Sequence, residues 1–279
     1  MLACLVPSAF SEKHPFDILV VDDSEIGRKL TSHHLRSLGY APAEAADGFE
    51  AVRMTAQRLY ELIFMDLRMP GMDGRETLLR IFKEWRGPRR PFVIALTAEI
   101  LDEERRQCIE VGMVGFLTKP CEPQNLIEAI GNLRKTPGAP ALVAESPRAQ
   151  EDWEQASVVN PAALRALRIL PGAKKPTLLE ELFETFCRET PQTLIELSKV
   201  AEAKDWPHVR RLLHQLTGNF DILGAPRMAR LCRACSAVAK EAELSGSDAS
   251  LPRLLEDFEP NFKALLGELE KWVKPSAVS

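Results

Sequence analysis

The stretch that most constrains this chain is residues 62–74, an apolar run followed by an acidic, glycine-rich turn. The run Leu62-Ile-Phe-Met65 is typical of a buried strand, and a proline and two glycines between positions 70 and 74 prevent that strand from continuing. Asp66 is therefore placed at the C-terminal end of a strand. An Asp in this position is most often a turn former, but in an open parallel sheet ligands and chemistry lie at that same edge.

The sequence around Asp66 alternates between strand and helix patterns. The predicted strands span 16–21, 40–45, 62–66, 92–97 and 114–118, and the predicted helices span 24–38, 47–59, 75–85, 102–111 and 123–134. Pro42 inside the second strand indicates an edge position. Five strands alternating with five helices imply right-handed crossovers and a three-layer α/β sandwich.

Reactive side chains stand where four of these strands end. They are Asp22, Asp23, Asp66, Thr97 and Lys119. In a parallel sheet all of them project from one edge. Three carboxylates held together repel one another, and a hard divalent cation relieves that repulsion; Mg²⁺ suits the site because it keeps waters that a phosphate can replace. Lys119 would neutralise one phosphoryl oxygen and Thr97 would donate a hydrogen bond to another, an arrangement for in-line transfer to an Asp nucleophile.

Each of these residues also has an ordinary structural explanation. Asp23 fits a helix cap, Thr97 fits the last residue of a strand, and Lys119 fits a solvated surface. The joint order and spacing of the set favour a common site over these separate explanations.

Residues 16–133 resemble the receiver domain of two-component response regulators. The motifs that carry the resemblance are Val-Asp-Asp at 21–23, Met-Asp-Leu-Arg-Met-Pro-Gly-Met-Asp-Gly at 65–74, Leu-Thr-Ala at 96–98, and Lys119-Pro120. The resemblance implies a flavodoxin-like (βα)5 fold with strand order 2-1-3-4-5. We assign residues 1–14 to an N-terminal extension and residues 15–135 to this domain.

The resemblance also implies a role for each site residue. Asp66 would be the phosphoacceptor, and Thr97 and Lys119 would contact the phosphoryl group. The implied ligands of magnesium, or of manganese, are Asp22, Asp23, Asp66 and the backbone carbonyl of Arg68. Phe116 would be the switch aromatic whose burial follows phosphorylation. The catalytic set shows no departure from the family pattern.

The second half of the chain is predicted to be helical. Residues 136–159 lack periodicity and are rich in Pro, Ala, Glu and Ser, which is typical of a semi-flexible linker. Residues 160–275 contain a short helix from Pro161, then predicted helices at 177–203, 205–223, 226–244 and 251–273, with Pro191 expected to kink the first of these four. Short connections between four main helices predict an antiparallel four-helix bundle.

The helix at 205–223 places one histidine on its polar side. Its apolar stripe contains Val209, Leu212, Leu213, Leu216, Phe220 and Leu223. His214 and Gly218 lie one turn apart on the opposite side, so we expect an exposed imidazole with free space beside it. Arg210 and Arg211 flank it and would attract an acidic, phosphate-bearing partner. The alternative is an inert surface histidine.

The segments His214-Gln-Leu-Thr-Gly218 and Leu223-Gly-Ala225 resemble the histidine phosphotransfer (HPt) domain of phosphorelays. The resemblance implies that His214 is phosphorylated. The family usually has Lys three residues after the histidine, where this chain has Thr217. Loss of that positive charge would slow transfer or change the choice of partner, and compensation by Arg210 is a hypothesis.

Composition excludes several classes of protein. The net charge of −4 is spread evenly along the chain and argues against a nucleic-acid module. No stretch approaches the roughly 20 apolar residues of a membrane span. The N-terminus lacks the basic region of a secretory signal, and six scattered cysteines in a chain of 279 residues indicate a reduced, cytoplasmic compartment. Partners are therefore expected to be proteins rather than nucleic acid or membrane.

The function that these observations predict is two-component phosphorelay signalling. Asp66 would accept a phosphoryl group from a sensor histidine kinase, and His214 would relay phosphate to or from a receiver Asp, its own or that of another protein. The reaction would be self-catalysed, because the sequence has no glycine-rich ATP-binding box of a kinase. The alternative is a phosphorylation-switched binding module whose helical bundle docks or dimerises with an unused His214. Arg68, where a second Asp would be expected, argues against a small-molecule phosphatase.

Overall fold

The computed structural model describes residues 8–97, 102–133, 153–169, 177–245 and 251–273. It divides into two compact units, Met1–Pro147 and Arg148–Ser279. The division falls within the predicted linker, most of which lies outside the described residues, so the predicted domain boundaries stay predictions. Among the described residues, none of the helices combines the length and hydropathy needed to cross a bilayer.

The first unit is built on one parallel sheet of five strands. The strands are β1 (Ile18–Val21), β2 (Ala43–Ala45), β3 (Leu62–Asp66), β4 (Phe92–Thr97) and β5 (Gly115–Thr118). Their order in the sheet is β2-β1-β3-β4-β5, which confirms the flavodoxin-like order and the edge position of the second strand. In the register Asp66 lies beside Leu96 and Thr97 lies beside Thr118. All the reactive strand ends therefore meet at one edge.

Within the described part of this unit, six helices accompany the sheet. They are α1 (Ser8–Lys13), α2 (Glu25–Ser37), α3 (Gly48–Gln57), α4 (Gly74–Glu84), α5 (Asp102–Glu110) and α6 (Pro123–Asn132). Ser24, Asp47 and Asp73 cap α2, α3 and α4 by accepting a backbone N–H bond. Gly39 ends α2 with φ of 94°, a conformation that favours glycine. Helix α1 was not predicted; its Phe10 ring packs edge-on against Tyr40.

The alternation of side chains along the strands buries both faces of the sheet. One face carries Leu19, Val21, Ile63 and Met65 into a shared apolar cluster, and the other carries Val20, Phe64, Ile94 and Leu96 into a second cluster. Every residue of β3 is buried. The central strand that ends in Asp66 is thus held by apolar packing on both sides, which fixes the position of that carboxylate.

The second unit is helical. It contains α7 (Pro161–Ile169), α8 (Leu178–Glu202), α9 (Trp206–Ile222), α10 (Pro226–Ser245), α11 (Leu251–Glu256) and α12 (Phe258–Val273). Helix α8 contacts α9 and α12, and α10 contacts α9 and α12, so the four long helices form a closed bundle. Phe186 lies at its centre, with ring centroids 5.7 Å from both Phe220 and Phe262.

One helix boundary in this unit differs from the sequence interpretation, and part of the predicted linker contacts the bundle. The single helix predicted for 251–273 is broken at Asp257, because Pro260 has no N–H and its ring excludes the carbonyl of a continuing helix. Pro260 instead lies in the first turn of α12, where a missing donor costs nothing. Residues 153–159, which we assigned to the linker, pack on the helical unit: Arg227 Nε donates to the Ala156 carbonyl at 2.8 Å.

Candidate functional site

The first unit brings a lysine between two buried carboxylates at the C-terminal edge of the sheet. Lys119 Nζ lies 2.6 Å from Asp22 Oδ2 and 2.6 Å from Asp66 Oδ2. Asp22 follows β1, Asp66 ends β3 and Lys119 follows β5, so three separate strands supply the contact. Thr97 ends β4 beside them and is also buried. The structure therefore assembles the four strand ends that the sequence pattern selected.

Asp23 completes an acidic cluster with Asp22 and Asp66. One carboxylate oxygen from each of the three lies within 4.8 Å of the others. Burial, followed by the negative charges of Asp66 and Asp22, raises the pKa of Asp23 to about 7. Burial disfavours the ammonium of Lys119, but the three carboxylates outweigh it and raise the pKa of Lys119. The cluster has excess negative charge that its single cation does not cancel, which fits a divalent cation with oxygen ligands.

Backbone groups hold the two buried carboxylates in place. The Ser24 N–H donates to Asp22 Oδ1 at 2.9 Å, and the Arg68 N–H donates to Asp66 Oδ1 at 3.0 Å. A Cβ at Gly27 would lie 2.8 Å from Asp22 Oδ2, so this position in the first turn of α2 requires glycine. Sequence reasoning missed Gly27. The available signal was a glycine inside a predicted helix, where it costs about 1 kcal/mol relative to Ala.

Helix α5 contacts two further residues of the predicted site. Phe116 on β5 is buried, and the guanidinium carbon of Arg105 lies 5.7 Å from the centre of its ring. Phe116 thus has the inward orientation that the family resemblance associates with phosphorylation. Arg68 Nη2 lies 3.1 Å from Glu104 Oε1. Neither contact from α5 was indicated by the sequence pattern.

The predicted site of the second unit lies on α9. His214 is partly exposed, less than its helical position suggested, and a Cβ built on Gly218 meets no atom within 4 Å. Thr217 is buried, and its hydroxyl donates to the Leu213 carbonyl at 2.7 Å. The residue at the usual lysine position is therefore directed into the bundle rather than toward the imidazole.

Ion pairs between α9 and α10 stand on either side of His214 along the helix. Arg210 Nη1 lies 2.9 Å from Glu243 Oε2, and Arg233 pairs with Asp221. Arg211 is partly buried. The basic rim predicted around the imidazole is thus partly neutralised, because Glu243 already holds one of its two guanidinium groups.

A parallel (βα)5 domain with a buried acidic cluster and lysine, together with a helical bundle that carries a surface histidine, defines the class of two-component phosphotransfer proteins. The comparisons agree. The model of the response regulator receiver domain matches residues 18–131, and the model of the Hpt domain matches residues 181–272. The chain therefore contains a receiver domain followed by an Hpt domain.

Curated relatives of the chain include histidine kinases. The chain is 26% identical over 268 residues to the signal transduction histidine-protein kinase BarA of Escherichia coli (strain K12), an alignment that covers 95% of this chain and 27% of that protein. It is 39% identical over 112 residues to the sensor histidine kinase RcsC of the same strain, covering 40% of this chain and 12% of that protein. The chain thus spans about a quarter of BarA.

Among solved structures, the receiver domain of the histidine kinase CKI1 from Arabidopsis thaliana, complexed with Mg²⁺, is 30% identical to this chain. The match covers 40% of this chain and 88% of that one, with a TM-score of 0.38.

Proposed function

We propose that this chain is a phosphorelay protein. Asp66 accepts a phosphoryl group from a phosphohistidine on a sensor histidine kinase, and His214 relays phosphate to or from the Asp of a receiver domain. The observation that carries this proposal is the position of the Lys119 ammonium, 2.6 Å from both Asp22 and Asp66 at the edge of the sheet. A cation held against the nucleophile in a buried site is what the transferring phosphoryl group requires.

The acidic cluster is proposed to bind Mg²⁺, or Mn²⁺. Asp22, Asp23, Asp66 and the backbone carbonyl of Arg68 would supply its oxygen ligands, and the close approach of three carboxylates supports this assignment. When bound, the cation supplies positive charge to the oxygens of the transferring group. It would also offset the negative charges of Asp66 and Asp22, which, after burial, raise the pKa of Asp23.

Three side chains of the receiver domain have separate roles in the proposed phosphoryl transfer. An Asp66 oxygen attacks phosphorus, the P–N bond of the donor phosphohistidine breaks as the P–O bond forms, and the departing imidazole takes a proton from solvent. Lys119 neutralises a phosphoryl oxygen, and the Thr97 hydroxyl donates a hydrogen bond to another. Asp66 and Thr97 are buried and the Lys119 side chain is only 12% exposed, which strengthens these electrostatic interactions.

His214 is proposed as the second carrier. Its imidazole is partly exposed on α9, and the open space at Gly218 leaves room for the edge of a receiver domain to approach. The alternative, a binding module with an unused His214, is favoured by one observation: Thr217 faces the bundle and leaves the usual position of the lysine charge empty.

The test is transfer of labelled phosphate from a small phosphodonor in the presence of Mg²⁺. Wild type is expected to show base-labile label on Asp66 and base-stable label on His214. Asp66→Asn should lose both, and His214→Gln should lose only the base-stable label. Asp73→Asn and His208→Gln are matched controls, because each changes the same residue type elsewhere in the same unit, and both should behave as wild type. If wild type shows no base-stable label, either alone or after mixing with partner receivers, the result would support the binding module.

The same variants decide whether the relay is internal. Mixing Asp66→Asn with His214→Gln leaves one intact site on each chain. Base-stable label in that mixture requires transfer between molecules. Its absence, when wild type carries it, would establish transfer within one chain, which an intervening segment of ~25 residues permits.

A further inference from the structure

A buried histidine ties α2 to the loop that carries Lys119. The side chain of His34, on α2, is almost completely buried, and its Nδ1 lies 2.8 Å from the backbone carbonyl of Cys121. Cys121 lies two residues after Lys119 and just before α6. None of the receiver residues with a proposed chemical role makes this contact.

The chemistry of the contact determines the tautomer of the ring. A carbonyl oxygen only accepts, so Nδ1 of His34 carries the proton and donates. Burial lowers the pKa of His34 to about 4, so the ring is neutral at physiological pH. A buried polar ring is costly unless it is hydrogen-bonded, and this bond offsets that cost.

The bond anchors one end of a short segment whose other end is also fixed. The Lys119 N–H donates to the Thr97 carbonyl at 2.8 Å, which attaches the segment to β4. His34 attaches it to α2 two residues later. The backbone between these anchors, residues 119–121, determines where the Lys119 side chain begins and hence how its ammonium meets Asp22 and Asp66.

We propose that His34 is a positioning residue for phosphoryl transfer: its Nδ1–H bond to the Cys121 carbonyl holds the 119–121 segment so that Lys119 is aligned with Asp66. This inference rests on the proposed function. In this inference α2 contributes to catalysis by positioning Lys119 and not by contacting the carboxylates. A displacement of a charged group by about 1 Å is enough to reduce a rate by up to about a hundredfold.

Two substitutions separate the hydrogen bond from the burial of a polar group. In His34→Asn the amide nitrogen is bonded to Cγ, as Nδ1 is, and it can donate to the Cys121 carbonyl. In His34→Gln the amide nitrogen lies one atom further out. Both variants place an amide in the same buried site, so they differ mainly in the position of the donor.

The experiment measures the rate of Asp66 phosphorylation by acetyl phosphate in the full chain, with Mg²⁺ affinity determined separately by calorimetry. His34→Gln is expected to reduce the maximal rate about tenfold. The half-saturating acetyl phosphate concentration and the Kd for Mg²⁺ should stay at wild-type values. His34→Asn should restore the rate to within about twofold of wild type. A purely structural role would change Mg²⁺ affinity and rate together.

Three results would overturn the inference. They are a wild-type rate in folded His34→Gln, equal losses in the Asn and Gln variants, and a nitrogen NMR spectrum of the wild-type ring that shows the Nε2–H tautomer. The spectrum tests the inference even where a variant does not fold. Wild type that accepts no phosphate on Asp66 would instead overturn the proposed function, together with this inference.

Discussion

The two units solve the same chemical problem in opposite ways. The receiver site is assembled from the ends of four strands, and its central contact joins the mostly buried Lys119 ammonium to the fully buried carboxylates of Asp22 and Asp66. The proposed Hpt site consists of one partly exposed imidazole on one helix, with partly exposed ion pairs around it. The first site holds opposite charges together where little solvent reaches them, and the second has its imidazole on the surface of a helix.

This difference predicts how each site responds to substitution. A buried charged site couples chemistry to stability, because removing one charge leaves the others uncompensated. At a surface site chemistry and stability are independent, because water already screens the charge interaction that a substitution removes. Variants in the receiver unit should therefore change both the free energy of unfolding and transfer, whereas variants around His214 should change transfer with little loss of stability.

The largest effect is expected for Lys119→Met. It leaves Asp22 and Asp66 buried without their shared cation, and we expect the free energy of unfolding to fall by about 3 kcal/mol without Mg²⁺. Saturating Mg²⁺ should restore part of that loss, because the cation binds only the folded state. Urea denaturation with and without MgCl₂ measures both. The matched control is Lys83→Met on the exposed side of α4, and equal stability of the two variants would contradict the coupling.

A second effect of similar size is expected from pH. Burial lowers the pKa of His34 from its ordinary value of 6.5 to about 4, which corresponds to about 3 kcal/mol. The unfolded chain takes up a proton before the folded one does. The contribution to stability is therefore complete above pH 6.5 and is lost as pH falls toward 4. We expect His34→Asn to be less sensitive to acid than wild type across this window in thermal unfolding. Parallel pH profiles would contradict the burial effect.

The sequence predicted the receiver site better than the Hpt site for a physical reason. Parallel strands that end together must bring Asp66, Thr97 and Lys119 to one edge, so topology alone predicts their convergence. A single-helix wheel does not show which neighbouring helix covers each side of α9. It therefore missed the inward direction of Thr217 and the pairing of Arg210 with Glu243.

In the fold, too, features set by local sequence were predicted and contacts between distant residues were not. Capping residues such as Ser24 and glycines such as Gly39 set helix ends through local geometry, and these boundaries were predicted closely. The break at Asp257 was missed, although Pro260 was a local signal for it. The contact of His34 with Cys121 joins residues 87 positions apart, and no local pattern indicates it.

A smaller effect is expected for Gly218→Ala, which should raise stability and slow transfer. A methyl group at this position meets no atom within 4 Å, so the substitution should stabilise α9 by about 1 kcal/mol. The same methyl group occupies the space proposed for the approaching receiver, so transfer through His214 should slow. Gly267→Ala on α12 is the matched control, because its added methyl group also meets nothing. It should stabilise the bundle without changing transfer, and equal transfer rates in both variants would contradict the proposed docking role of Gly218.

The smallest effect on stability is expected at Arg210. Its ion pair with Glu243 joins partly exposed side chains, so Arg210→Ala should cost less than about 1 kcal/mol in urea denaturation. Its effect on transfer tests whether Arg210 replaces the charge that Thr217 lacks. If it does, Glu243 opposes it by holding the guanidinium, and Glu243→Ala should accelerate transfer through His214 while Arg210→Ala slows it, each by about twofold. The double variant should match Arg210→Ala, because removing Glu243 then has no guanidinium to release. Identical rates in all three would mean that the site works without a compensating cation beside the imidazole.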